Sequence, residues 1–165
     1  MIDSLFIVLE SSLVSRWVRG EFDAATMVFP VVISLHAIGM GFLAGIACMI
    51  NLRILGIAPA VPLARLAAFL PVAWLALFIN LVSGLLLLIG YPTKALTNPV
   101  FYIKLLCIGV ALWCLFWIRR NLLLNTSAVV TAYARRLAVI ATILWTTAIV
   151  TGRLLAYTYS QLTSI

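Results

Sequence analysis

Residues 28 to 54, VFPVVISLHAIGMGFLAGIACMINLRI, form an apolar run too long for the surface helix of a water-soluble protein. A helix crosses the hydrocarbon core with roughly 20 predominantly apolar residues, each rising about 1.5 Å. Three more blocks of that length follow, which predicts spans at about 27–55, 63–90, 99–120 and 134–159. No stretch alternates polar and apolar residues over the length of a barrel strand, so the spanning backbone must satisfy its hydrogen bonds inside helices. Composition agrees: 65% of the 165 residues are hydrophobic and 9% charged, against about 25% charged in a soluble domain. The expected fold is all-α, one membrane domain over residues 1–165 built as a four-helix bundle.

The net charge of +7 would raise nucleic acid as a partner in a soluble chain. Here the cations gather at helix ends and in short loops, where they set topology and meet lipid headgroups, so membrane lipids are the expected partners and nucleic acid is not. The four acidic residues, Asp3, Glu10, Glu21 and Asp23, all precede the first span. Cys48, Cys107 and Cys114 lie inside apolar blocks without the paired spacing of a zinc site or a disulfide framework. The opening MIDSLFIVLE lacks the basic region and small-residue cleavage site of a secretory signal, so the first span is expected to serve for targeting.

Residues 4–18 are too short and too polar to span. As a helix they place Leu5, Phe6, Leu9, Leu13 and Trp17 on one face and Ser4, Ser11, Ser12, Ser15 and Arg19 on the other, the pattern of an amphipathic helix lying in the interface. Arg16 and Glu10 are misfits on that wheel; they either snorkel to water or, for Glu10, meet a cation of the bundle. In the first span Pro30 sits in the opening turn, where its missing donor does no harm. Ala37, Gly41 and Gly45 form a small-residue stripe of the GxxxG kind, expected to touch another helix closely.

Orientation follows from counting cations. Arg53 and Arg65 border the first loop and Arg119, Arg120, Arg135 and Arg136 the third, whereas the middle loop holds Lys94 alone. The two basic loops are then cytoplasmic and both termini outside, periplasmic in a bacterial inner membrane. That topology puts His36, Lys104 and Arg153 in one leaflet, with Asn80 and Ser83 near the middle and outer part of the second span and Glu10 on the same side. Lys104 and Arg153 either snorkel to headgroups or line a polar chamber with Glu10 or an anionic ligand. His36, the only histidine, is either hydrogen-bonded to a neighbouring helix or a ligand to a cofactor. A bis-histidine haem is excluded within the chain; a single five-coordinate haem b, or a soft metal held by His36 with Met40, remains open.

The segments FP-x5-H-x2-G at Phe29 to Gly39, NLRILG at Asn51, NPVFYIKLL at Asn98 and TGRLLAY at Thr151 together resemble a family of small bacterial four-helix integral membrane proteins of unknown function. The resemblance runs through nearly the whole chain and implies the four-helix fold and the importance of His36, Arg53, Lys104 and Arg153; it brings no activity. In that family an aspartate usually stands at the position of Asn51 and a glutamate at that of Ser34, which argues against a carboxylate-dependent role here. Cytochrome b561-like and copper-resistance membrane proteins are similar only in scale, since they use several intramembrane histidines.

Two functions compete. One is a non-enzymatic membrane subunit or small-molecule-binding bundle that uses an outer polar chamber, formed by His36, Lys104, Arg153, Glu10 and Asn80, for a lipid headgroup, a quinone or a partner protein, including another copy of itself. The other is a redox protein in which His36 ligates one haem and Lys104 with Arg153 meets its propionates. No nucleophile and base stand together in the sequence to suggest a hydrolase.

Overall fold

The computed structural model describes residues 10–22, 27–125 and 129–162. Among these there is no strand. The chain forms α1 (Leu13–Arg19), α2 (Val28–Ile54), α3 (Leu63–Leu66), a 3-10 turn (Ala67–Phe69), α4 (Leu70–Gly90), α5 (Pro92–Leu96), α6 (Pro99–Ile118), a π turn (Arg119–Leu123) and α7 (Ala132–Leu162). Four segments are long and apolar enough to cross a membrane: Val28–Ile54, Leu63–Gly90, Pro99–Leu123 and Ala132–Leu155. They match the four predicted spans to within a few residues, and the chain is an all-α helical bundle.

The spans are not equally intimate. α2 packs along α4, α7 along α6, and α2 against α7, whereas α4 and α6 keep their backbones apart. Large side chains bridge that last gap, with the Trp74 and Phe116 rings 4.9 Å apart. The close pair α2 and α4 owes its contact to Gly39, where an added Cβ would lie 3.0 Å from the Ala76 carbonyl oxygen and 3.1 Å from the Asn80 nitrogen. The Ala37, Gly41, Gly45 stripe does not make the expected contact within the chain. All three residues are exposed, and nothing lies within 4 Å of a Cβ built at Gly41 or Gly45. Each residue of a helix advances by about 100°, so Gly39 and Gly41, about 200° apart, face nearly opposite sides and only one of them can meet α4. The core is filled by Leu43, Ile50, Ile54, Leu115, Ile118 and Trp145, all at most 2% exposed, with Ala73, Ala111, Ala138 and Ala148 admitting close helix approach.

The first nine residues of the chain lie outside the described residues, so the interfacial assignment of 4–18 is represented by α1 alone, which continues to Arg19. Ser12 caps it by accepting from the Ser15 nitrogen, and Gly20 closes it at a φ of 74° that suits glycine. α1 packs on the end of α4: Ser15 Oγ donates to the Gly90 carbonyl at 3.3 Å, Arg19 donates to the same oxygen at 3.2 Å, and Val18 sits over Gly90 so tightly that a Cβ there would come within 2.8 Å of it. Leu13, Val14 and Trp17 stay exposed, while Val18 and Ser15 are buried against the end of α4.

Beyond α1, Glu21 accepts from Arg19 Nε at 2.7 Å and Arg16 Nε at 3.1 Å, while the Arg16 guanidinium lies over Phe22. The Arg19 hydrogen bond is the largest influence on the Glu21 carboxyl; desolvation opposes it, and the Arg16 hydrogen bond with the charges of both arginines leaves the carboxyl below its ordinary value. A depressed carboxyl contributes stability above its unfolded pKa and loses it as pH falls through the folded one. Amide-exchange protection of α1 should therefore hold from neutral pH down to about pH 5 and decline below about pH 4. In Glu21→Gln it should be weaker at neutral pH and lack that acid step; an identical acid profile in the variant would remove Glu21 from the account.

Candidate functional site

α2 and α4 clasp each other reciprocally at His36 and Asn80. The Asn80 side-chain amide donates to the His36 carbonyl at 2.8 Å, and His36 Nδ1 lies 3.2 Å from the Asn80 carbonyl. His36 Nδ1 also lies 3.1 Å from Ser83 Oγ, whose own proton goes to the Ile79 carbonyl at 2.6 Å. Both oxygens facing Nδ1 are therefore acceptors, which assigns the ring proton to Nδ1 and leaves the lone pair on Nε2. Lys104 Nζ, reaching across from α6, donates to that lone pair at 3.2 Å. The sequence Ser83, His36, Lys104 is thus a directed hydrogen-bond chain linking three spans.

Glycines make room for it. A Cβ at Gly84 would stand 3.1 Å from His36 Cε1, and one at Gly152 of α7 would stand 3.6 Å from Lys104 Nζ. All four spans therefore border the site, two of them through backbone bared by glycine. The Phe29 and Tyr91 rings, 5.5 Å apart edge to face, lie where α2 begins and α4 ends and mark the same end of the bundle.

Of the five candidate ligand-binding residues, His36, Asn80 and Lys104 come together as one cluster facing neighbouring helices. Arg153 does not join them. It is exposed and, among the described residues, makes no hydrogen bond or ion pair. The cause is helical phase: Gly152 faces Lys104, so Arg153 is turned about 100° away. Glu10 does not join either. Its carboxylate accepts from Thr93 Oγ1 at 2.7 Å and its carbonyl from Arg19 at 2.8 Å, which ties the N-terminal segment to α5 and α1 rather than to Lys104. Asp23 and Asp3 lie outside the described residues. The residues that sequence reasoning left out of the site are Ser83, Gly84 and Gly152; Ser83 and Gly84 follow Asn80 within about one turn and so share its face, which was the available signal.

The geometry limits the chemistry. Ser83 is not an activated nucleophile, because it faces the protonated nitrogen of His36 and gives its hydrogen to a carbonyl. The Nε2 lone pair, the one site through which this tautomer could bind a metal or haem iron, is already held by an ammonium group. Met40 is buried in the apolar core, and no group of three metal-binding side chains occurs among the described residues. Two shallow grooves of about 320 and 220 Å³ run past Ile38 and Phe42 on the outer face of α2; neither is lined by His36 or Lys104.

What the site does offer is an ammonium group inside a bundle. Lys104 is half-buried, uses one of its three N–H donors on His36, and has no carboxylate within ion-pair distance among the described residues. No protein-family model matches the chain, and no curated protein or solved structure matches it.

Proposed function

We propose that this is a non-enzymatic integral protein of a bacterial inner membrane that binds the polar end of a small amphipathic molecule, a lipid headgroup or a quinone, at Lys104. The observation that carries the reading is the Lys104 ammonium, turned toward His36 rather than paired with a carboxylate. A cation held away from water needs a counter-charge or strong acceptors, and its two remaining donors favour an anionic or carbonyl oxygen. His36 fixes the ammonium in place, and the side chain lies along the bare backbone at Gly152, where a Cβ would stand 3.6 Å from Nζ. With the site in place before the ligand arrives, little ordering opposes binding.

Native mass spectrometry of the purified protein tests this. Wild type should retain an endogenous lipid or quinone adduct, Lys104→Arg should keep much of it, and Lys104→Met should retain about tenfold less, the equivalent of about one charge-assisted hydrogen bond. Equal retention by wild type and Lys104→Met would overturn the reading.

By the same reading the site lies in the periplasmic leaflet, with both termini on that side, because six of the nine arginines border the opposite end of the bundle. In a cysteine-free background, a cysteine placed at Thr97 should react with an impermeant maleimide in intact cells, and one at Ala60 only after permeabilisation. The reverse pattern would invert the orientation.

A further inference from the structure

The bundle end opposite His36 concentrates the chain's arginines. α2 and α6 end there and α3 and α7 begin there. α3 packs against the π turn Arg119–Leu123, which sets the element bearing Arg65 beside Arg119 and Arg120. The Trp117 and Tyr133 rings meet edge to face at 5.0 Å, joining the end of α6 to the first turn of α7 and bringing Arg135 and Arg136 to the same patch. Arg65, Arg120, Arg135 and Arg136 are exposed and Arg119 is half-buried. Among the described residues none of these five side chains makes a hydrogen bond or ion pair with the protein. Arg53 differs, since its guanidinium folds the first loop by donating to the carbonyls of Pro59 and Val61. The described carboxylates, Glu10 and Glu21, are engaged at the other end with Thr93, Arg16 and Arg19.

Five guanidinium groups gathered without a carboxylate repel one another unless an anion lies among them. Their level is set by Trp117 and Tyr133, the residue types that settle at the headgroup region. Guanidinium forks match phosphate oxygens in pairs. We propose that Arg65, Arg119, Arg120, Arg135 and Arg136 form a second binding surface, separate from Lys104, for the phosphates of anionic phospholipids in the adjoining leaflet.

The full chain, purified in a neutral detergent, is titrated with micelles carrying fluorescent phosphatidylglycerol or phosphatidylcholine. The triple variant Arg65→Gln, Arg119→Gln, Arg120→Gln should bind phosphatidylglycerol at least about tenfold more weakly than wild type, with a shallower dependence on salt and unchanged phosphatidylcholine binding. The matching Arg→Lys triple should retain most of the affinity, and the Gln triple should cause the same fold-loss in a Lys104→Met background, where the site at Lys104 no longer contributes. Arg135→Gln with Arg136→Gln lies on a different helix and should weaken binding severalfold, so either set decides if the other does not fold. Phosphatidylglycerol binding that is no tighter than phosphatidylcholine binding, or that survives both sets of Gln substitutions, would overturn the proposal. Complete displacement by millimolar inorganic phosphate would overturn the lipid as its source.

Discussion

Gly39→Leu is expected to melt the bundle well below wild type while Gly41→Leu leaves it unchanged. The two glycines are two residues apart in one helix and both are surrounded by apolar sequence, so composition does not separate them. At Gly39 a Cβ already meets the Ala76 carbonyl and the Asn80 backbone at 3.0 and 3.1 Å, and a backbone cannot swing aside as a flexible side chain can. The rest of a leucine would part α2 from α4, break the reciprocal clasp of His36 and Asn80, and forfeit contacts along the closest pair of spans. Overpacking of this kind costs about 1–3 kcal/mol and sometimes more, so a loss at or above the upper end is expected here. Gly41 has nothing within 4 Å of a Cβ, and its substitution should change stability by no more than about 0.5 kcal/mol. Thermal unfolding in detergent, followed by circular dichroism, measures both. Equal melting of the two variants would mean that the α2 and α4 backbones are not in contact at Gly39.

The second large effect is expected at the His36 and Lys104 pair, and its size depends on which partner is removed. His36→Leu strips the ammonium of its acceptor and leaves a half-buried cation unpaired, a loss of about 1–3 kcal/mol. Lys104→Met removes the cation together with its need for a partner, so the bundle should lose less than about 1 kcal/mol. The double variant should then be more stable than His36→Leu alone, with a coupling of about 1–2 kcal/mol. Strict additivity of the two substitutions would show that the side chains do not interact.

How much of this the sequence contained depends on the range over which each property is set. The spans are local: length and hydropathy fix them, and the four apolar blocks became the four long helices with small shifts at the ends. That His36, Asn80 and Lys104 belong to one end of the bundle was also legible, because short loops force antiparallel neighbours and depth along a helix follows from counting residues. Rotation of each helix about its axis was not legible. An apolar helix all round has no polar face to orient it by, so the GxxxG spacing at Gly41 and Gly45 does not identify the face that meets α4, and within the chain Gly39 carries that contact. The same uncertainty of phase kept Arg153 in the predicted cluster, when its neighbour Gly152 is the residue that faces Lys104. Glu10 was placed on the correct side of the bundle by topology, but its partner, Thr93, is decided by how α1 docks on Gly90, a contact between segments far apart in the chain.

On this geometry His36 is a neutral imidazole protonated on Nδ1, with its Nε2 lone pair held by the Lys104 ammonium. Because the chain contains one histidine, selective 15N-histidine labelling gives a spectrum with a single imidazole to assign. At neutral pH in detergent or lipid, that spectrum should show a protonated Nδ1 and an unprotonated Nε2 whose shift moves in Lys104→Met. An Nε2–H tautomer, an imidazolium, or an Nε2 resonance indifferent to Lys104→Met would contradict it.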